Sequence, residues 1–158
     1  MVLLFVLVEL LLFRSYDQTE RTTRDFKRTT DAMTAVANAL RETALLGQAV
    51  TPLSSGDSLT PALVRRGLLE RQLDVVQATI LHPDDAGQLG AIKRDLKAYD
   101  RAFTAAYGTG ERARPGRGRA QVGRKLGALE RRVKDYFDDQ EHALYDSLAS
   151  TLDERAAG

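Results

Sequence analysis

The chain has 158 residues, with no cysteine, no tryptophan and only two histidines. The lack of cysteine excludes disulfides, iron–sulfur clusters, thiolate zinc sites and cysteine nucleophiles. Because 23 basic residues nearly balance 22 acidic ones, a dedicated nucleic-acid binder, which is usually strongly basic, is disfavoured. A chain of this length with 43% hydrophobic residues can form one domain with a buried core.

The first 13 residues, MVLLFVLVELLLF, form an apolar run that only Glu9 interrupts. This run is shorter than the ~20 apolar residues of a spanning helix, and it lacks the basic start and small-residue cleavage site of a signal peptide. Three interpretations stay open: part of a transmembrane helix, an uncleaved membrane anchor, or a buried segment of a soluble oligomer. We expect residues 1–13 to be a membrane segment and residues 14–158 to be the folded domain.

A heptad row follows the apolar start and predicts a first helix that runs to about Gly47. Successive positions in this row are alternately three and four residues apart. This is the residue spacing on the buried face of helices in bundles and coiled coils. The row contains Tyr16, Thr19, Thr23, Phe26, Thr30, Met33, Ala37, Leu40, Ala44 and Gly47.

Breaker residues divide the rest of the chain into three further helices. Residues 51–58 form a loop, and Thr60 is predicted to cap a second helix with Pro61 at its first position. The short turn at Pro83 predicts an antiparallel hairpin of helices two and three. The segment GTGERARPGRGR, residues 108–119, predicts a flexible loop before a fourth helix that ends near Glu154.

The predicted lengths define the fold class. The first and fourth helices should have about 35–45 residues and the middle two about 20–25, judged from the extent of each periodic pattern. The sequence therefore predicts an all-α, antiparallel up-down four-helix bundle with long first and fourth helices. Both chain ends should lie at one end of the bundle, and the loops at residues 51–58 and 108–119 at the other.

Arginine pairs on helices are the candidate ligand-binding residues. A small anion held between helices could contact guanidinium groups, which form paired hydrogen bonds to carboxylate or phosphate. The alternative is ordinary surface charge for the arginines and a core role for the tyrosine. The candidates are Arg65, Arg66, Tyr99, Arg131 and Arg132.

Polar residues at core positions form a second candidate group, the signal-helix seam. Such residues lower stability, but they can fix the register of packed helices or permit them to slide. A loose, hydrated end of the bundle is the alternative interpretation. The seam residues are Thr19, Thr23, Thr30 and Gln140.

Metal and anion sites have less support. Asp139 and His142 have the i, i+3 spacing of di-iron bundles, but Thr79 stands three residues before the other histidine, His82. We therefore expect no catalytic residue, metal or cofactor. The basic loop carries Arg112, Arg114, Arg117 and Arg119, which could bind an anion or be solvated. The loop has no phosphate-binding glycine motif.

The apolar start, long helix, short hairpin and second long helix together resemble the extracytoplasmic four-helix-bundle sensor domains of bacterial receptors. The related CHASE3 sensor domain carries an ETGxRGYLLTG-like motif at the end of its first helix. Here that region reads RETALLGQAVTPLSSGD, in which Glu42–Thr43, Leu45–Leu46 and Ser55–Asp57 are similar and the central RGY is absent.

This resemblance implies a homodimer, a second membrane segment beyond residue 158 and a separate cytoplasmic output domain. The signal would be a small molecule or a protein, not a nucleic acid. The preferred interpretation is an extracytoplasmic sensor that transmits signals by helix repacking. The alternatives are a membrane-anchored interaction or scaffold subunit and, least favoured, an enzyme with its active site in the bundle.

Overall fold

The structure, a computed structural model, describes the backbone of residues 2–79, 83–113 and 118–156. Its helices pack in chain order around a square: α1 contacts α2 and α4, α3 contacts α4, and α2 contacts α3 most sparsely. The diagonal pairs do not pack against each other within these residues. The predicted all-α up-down bundle is confirmed. The helices are α1 (Val2–Val50), α2 (Thr60–Thr79), α3 (Pro83–Tyr107) and α4 (Arg119–Ala156).

The outer helices are much longer than the inner ones, as predicted. α1 has 49 residues and α4 has 38, against 20 in α2 and 25 in α3. At a rise of 1.5 Å per residue, α1 is about 74 Å long and α2 about 30 Å. Because α1 begins at Val2, one continuous helix crosses the boundary predicted between residues 13 and 14.

The buried row of α1 differs from the predicted row by one position. The structure buries Val36, Ala39, Thr43, Leu46 and Val50, which again alternate steps of three and four. In the predicted row, Leu40 is half-buried and Ala37 and Ala44 are exposed. The predicted heptad period of α1 is therefore correct, but the predicted buried face is wrong. Alanines occupy both rows, and the larger Val and Leu side chains decide which row is buried.

The cores of α3 and α4 have the heptad spacing of bundle helices. The buried row of α3 runs from Leu89 to Ala106, and α4 is buried from Val122 to Tyr136 in alternating steps of four and three. The apolar residues of α2 are only partly buried. Its Leu69, Leu73 and Val76 enter the core, but Leu63, Val64 and Val75 remain 46–53% exposed.

The start of α2 also lies one residue earlier than predicted. The Leu63 amide donates to the carbonyl of Leu59 at 3.0 Å, so Leu59, and not Thr60, is the capping residue. The Thr60 amide donates to Oγ of Ser58 at 3.3 Å. Pro61 is then the second helical residue, a position where its missing N–H is still harmless.

Two loops meet at one end of the bundle, which we call the tip (residues 51–59 and 108–113). Gly56 donates its amide to the Ala113 carbonyl at 2.8 Å, and Ala113 donates back to the Asp57 carbonyl at 2.8 Å. The Leu59 amide donates to the carbonyl of Glu111 at 2.9 Å. The described part of the predicted flexible loop is therefore hydrogen-bonded to its neighbour, and both loops lie at the same end, as expected.

At the opposite end, the outer helices project beyond the inner pair. Gln140 of α4 donates to Asp85, in the first turn of α3, at 2.9 Å, so the rest of α4 continues past the start of α3. Among the residues whose side chains are described, burial begins at Ala35 on α1 and stops at Tyr136 on α4. The described side chains of the projecting segments thus contribute little to the core of a single chain.

Candidate functional site

The arginines predicted on α2 are both engaged by carboxylates of other helices. Arg65 donates to Glu42 of α1 at 3.2 Å. Arg66 forms a fork with Asp100 of α3, with Nε to Oδ1 at 3.0 Å and Nη2 to Oδ2 at 2.6 Å, and also contacts Glu70. The hydrogen bond to Asp100, opposed by partial burial, raises the pKa of Arg66. The pair thus ties α2 to both of its neighbours.

The arginines predicted on α4 lie elsewhere in the bundle. Arg132 forms an ion pair with Asp95 of α3, and Arg131 is exposed. Because α2 and α4 are a diagonal pair that does not pack, the structure does not bring the four arginines together. Arg65, Arg66 and Arg132 link helices, and no common anion site arises from the predicted set.

Tyr99 is a core residue near one of these ion pairs. It is 1% exposed, and its ring centroid lies 5.7 Å from that of Phe103. Burial raises the pKa of Tyr99, and the negative charge of Asp100 adds to this effect. The aromatic row continues from Phe103 to Tyr107 at 5.0 Å, and the guanidinium of Arg119 lies 5.8 Å above the Tyr107 ring.

The signal-helix seam lies mostly at the surface of the single chain. Thr23 and Thr30 are exposed, and Gln140 is half-buried with its amide on Asp85. The side chain of Thr19 lies outside the described residues. The one polar residue in the described core is Thr43, which the sequence offered only as part of the CHASE3-like segment; its hydroxyl donates to the Ala39 carbonyl at 2.8 Å. Thr43 is thereby satisfied within its own helix.

A groove between α3 and α4 was not predicted from the sequence. It is an open surface groove of about 310 Å³ in which Arg101 and Lys125 are exposed, and α3 contributes small side chains at positions i, i+4 and i+7. Two cationic side chains reach it, one from each helix. The signal in the sequence was the local charge, because residues 101–129 contain seven basic residues and a single acidic one. The lining residues are Ala98, Arg101, Ala102, Ala105, Gln121 and Lys125.

The remaining candidates show little organisation. No cluster of three potential metal ligands occurs among the described residues, and the exposed His142 places Nδ1 2.6 Å from the Asp138 carbonyl. His82 lies outside the described residues, as do Arg114 and Arg117 of the basic loop. Arg112 of that loop is exposed.

In the part of the chain that the structure describes, no helix combines the length and apolar character needed to cross a membrane. No protein-family model matches the sequence, and no curated protein or solved structure matches it significantly.

Proposed function

We propose that this chain is the extracytoplasmic sensing module of a bacterial membrane receptor, and that it transmits a signal by repacking α1 against α4. One observation carries this proposal. α1 and α4 extend past the inner helices at the end opposite the tip, where both chain ends lie. A change at the tip or between the helices can reach the chain ends only through these two helices.

The described side chains of the projecting segments pack sparsely, as a switch requires. Repacking by a signal needs two arrangements of similar energy, and a deeply buried interface would hold only one of them. Thr23 and Thr30 are exposed and Gln140 is half-buried, so these positions add no apolar contact that would lock α1 against α4. The sparse described contact in the projecting region therefore supports a movable packing of α1 on α4.

The exposed row of α1 supports the homodimer that we propose as the functional unit. Ala37 and Ala44 are exposed, and Met33 and Leu40 are half-buried beside them. This row has heptad spacing and small side chains, which would let the α1 helix of a second copy approach closely. The apolar residues 1–13, at the far end of the same helix, would attach the dimer to the membrane.

The absence of cysteine makes this proposal testable with site-directed spin labels. The seam pair Thr30→Cys and Ala143→Cys reports the distance between α1 and α4 in the projecting region. The control pair Gln48→Cys and Arg124→Cys joins the same helices near the tip. In the full chain in detergent or lipid, we expect two distance populations for the seam pair and one for the control. A single narrow population in both pairs would contradict the proposal.

Dimerisation is tested by disulfide cross-linking of the same cysteine-free chain. Ala37→Cys, on the exposed row of α1, should cross-link between copies under mild oxidation. Thr104→Cys, on an exposed position of α3, is the matched control and should not. Equal cross-linking at both positions would show random collision and remove the support for an α1–α1 interface.

An interaction or scaffold subunit is the second candidate, and one observation favours it. Leu63, Val64 and Val75 leave apolar surface exposed on α2, a face that a partner protein could cover. A scaffold needs one fixed packing of α1 on α4. It would therefore give a single distance population at the seam pair, which distinguishes it from the sensor.

A further inference from the structure

We infer that the groove between α3 and α4 binds a small organic anion, with a carboxylate or phosphate head held by Arg101 and Lys125. This inference rests on the proposed function, because it names the class of signal that such a sensor would take. It concerns residues outside the arginine pairs predicted from the sequence. The ligand would also have a short apolar part, since alanine side chains line one wall of the groove.

The groove has room for a small metabolite. Its volume of about 310 Å³ is at the lower end of the range of ligand sites, which is roughly 300–1,000 Å³. The space exists because Ala98, Ala102 and Ala105 follow one another along the face of α3 that lies opposite Gln121 and Lys125. Larger side chains at these three positions would fill the groove.

The two cations of the groove lack the carboxylate partners that the helix-linking arginines have. Arg65, Arg66 and Arg132 each have a carboxylate partner on another helix. Arg101 and Lys125 form no ion pair with any described residue. The two side chains extend from facing helices towards the same space. Two cations near one another without a counter-charge repel, and an anion between them removes that repulsion.

The surroundings reinforce the positive potential. Glu111 is the only acidic residue between positions 101 and 129, and the same stretch holds seven basic residues. Gln121 lies in the first turn of α4, where the helix dipole is positive, and its amide could donate a further hydrogen bond to an anion. Charge, space and a neutral donor thus converge on one groove.

The position of the groove connects it to signal transmission. An anion held by Arg101 and Lys125 would bridge α3 and α4 in the half of the bundle nearest the tip. Drawing the two side chains together would shift α4 against α3. Because α4 continues to the projecting region, the shift would reach the signal-helix seam at Gln140.

Binding is tested by NMR on the ¹⁵N-labelled full chain in detergent, with inorganic phosphate, succinate and citrate as separate probes. Chloride at matched ionic strength is the reference, so that general screening is subtracted. We expect at least one probe to give saturable shifts of the amide signals of Ala98, Ala102 and Gln121. Which probe binds tells a phosphate head from a carboxylate head. No saturable shift with any of them would overturn the inference.

Three variants show whether the binding is specific to the groove. The double variant Arg101→Gln/Lys125→Gln should weaken binding at least tenfold. Arg94→Gln/Arg124→Gln removes the same charge from exposed positions outside the lining and should change affinity less than about twofold. Equal losses in both would indicate non-specific attraction and overturn the inference. Ala105→Leu keeps every charge but fills the groove, and it should also weaken binding.

The spin-label experiment separates failure of this inference from failure of the proposed function. Two distance populations at Thr30 and Ala143 without any anion binding would leave the sensor proposal standing and remove the groove as its ligand site. Anion binding with one unchanging distance would establish the groove and contradict the sensor. Binding that shifts the ratio of the two populations supports both.

Discussion

Arg66 joins α2 to α3 through two parallel hydrogen bonds to the carboxylate of Asp100. The side chains are 29% and 30% exposed, so solvent screens the pair only in part. Because α2 and α3 pack sparsely elsewhere, the pair is one of few direct links between them. A second link, from Lys93 to Asp74 at 2.9 Å, crosses the same gap.

We predict a measurable coupling between Arg66 and Asp100. In a double-mutant cycle with alanine at each position, urea denaturation should give a coupling free energy of about 1 kcal/mol, near the top of the range for partly exposed pairs. The cycle for Arg132 and Asp95, in which the arginine is half-exposed, is the control and should give a smaller value. A coupling near zero for Arg66 would mean that the fork contributes no stability.

Burial raises the pKa of Tyr136 to about 12, and the negative charge of Asp85 acts in the same direction. The folded state therefore binds the phenol proton more tightly than the unfolded state, whose pKa is close to 10. This contribution to stability is complete below pH 10 and is lost as the pH rises towards 12. We expect stability to fall less steeply in that window in Tyr136→Phe than in the wild type, measured by urea denaturation at each pH.

The matched control is Tyr145→Phe, because the Tyr145 ring is 62% exposed and its surroundings change little on unfolding. Its alkaline loss of stability should follow that of the wild type. If Tyr136→Phe also follows the wild type, the phenol of Tyr136 is not protected in the folded state.

The ion pairs show what could be predicted at this scale. The sequence predicted helical arginine pairs, Arg65–Arg66 and Arg131–Arg132, that could hold an anion between helices, and in the structure Arg65, Arg66 and Arg132 instead pair with carboxylates. Their partners are separated from them by 23, 34 and 37 positions. Which carboxylate each arginine meets depends on the axial register of neighbouring helices, and no local pattern encodes that register. The groove was missed for the same reason, since its two cations come from different helices.

At the level of the elements, glycine marks the end of α3. Gly108 has φ of +87°, a left-handed conformation that L residues avoid, and its amide donates to the Thr104 carbonyl at 2.8 Å. Gly108→Ala should therefore lower the free energy of unfolding by about 1–2 kcal/mol. Gly110→Ala, for which no such φ is required, is the control in the same thermal or urea experiment. Equal effects would argue against the cap.

Gly47 gives the opposite expectation in the middle of α1. A Cβ built there would meet only the Leu126 side chain, at 3.8 Å, which is an ordinary van der Waals contact. Since glycine weakens a helix interior relative to alanine, Gly47→Ala should raise the free energy of unfolding by about 0.5–1 kcal/mol. A decrease on urea denaturation would show that α1 and α4 need the glycine for their close approach.

The helices themselves were largely predictable, and their details were not. Periodicity and breaker residues place all four helices, because both signals are local. The buried face of α1 was displaced by one position, from Ala37 to Val36. That choice depends on α2 and α4, which approach α1 from two sides. Similarly, burial of Leu59 at the tip, and not its side-chain chemistry, makes it the cap of α2.

For the whole molecule, the distribution of burial predicts which part of the chain sustains the fold. The described core starts at Ala35, so Lys27→Ala, at an exposed position of α1 before the core, should change the free energy of unfolding by less than about 0.5 kcal/mol. Leu46→Ala, which removes a fully buried side chain, should lower it by about 2–5 kcal/mol. Both values come from urea denaturation in the same detergent. A loss in Lys27→Ala as large as that in Leu46→Ala would place the stability outside the described core.

The up-down topology followed from helix lengths and short connections, which are sequence properties. The sparse packing of α2 on α3 did not, because the bonds that join them, from Lys93 to Asp74 and from Arg66 to Asp100, link residues that only the folded bundle brings together. Packing of this kind is a property of the assembled bundle.

The backbone hydrogen bonds between Gly56, Asp57 and Ala113 have a mechanical consequence. They fasten the α1–α2 hairpin to the α3–α4 hairpin at the tip, so the outer helices α1 and α4 are held together there and project beyond the inner helices at the other end. Displacement then grows in proportion to distance from the tip. For a helix about 74 Å long, a tilt of about 1° at the tip moves the other end by about 1.3 Å. The length of α1 thus converts an angular change too small to disturb the core into a translation of atomic size.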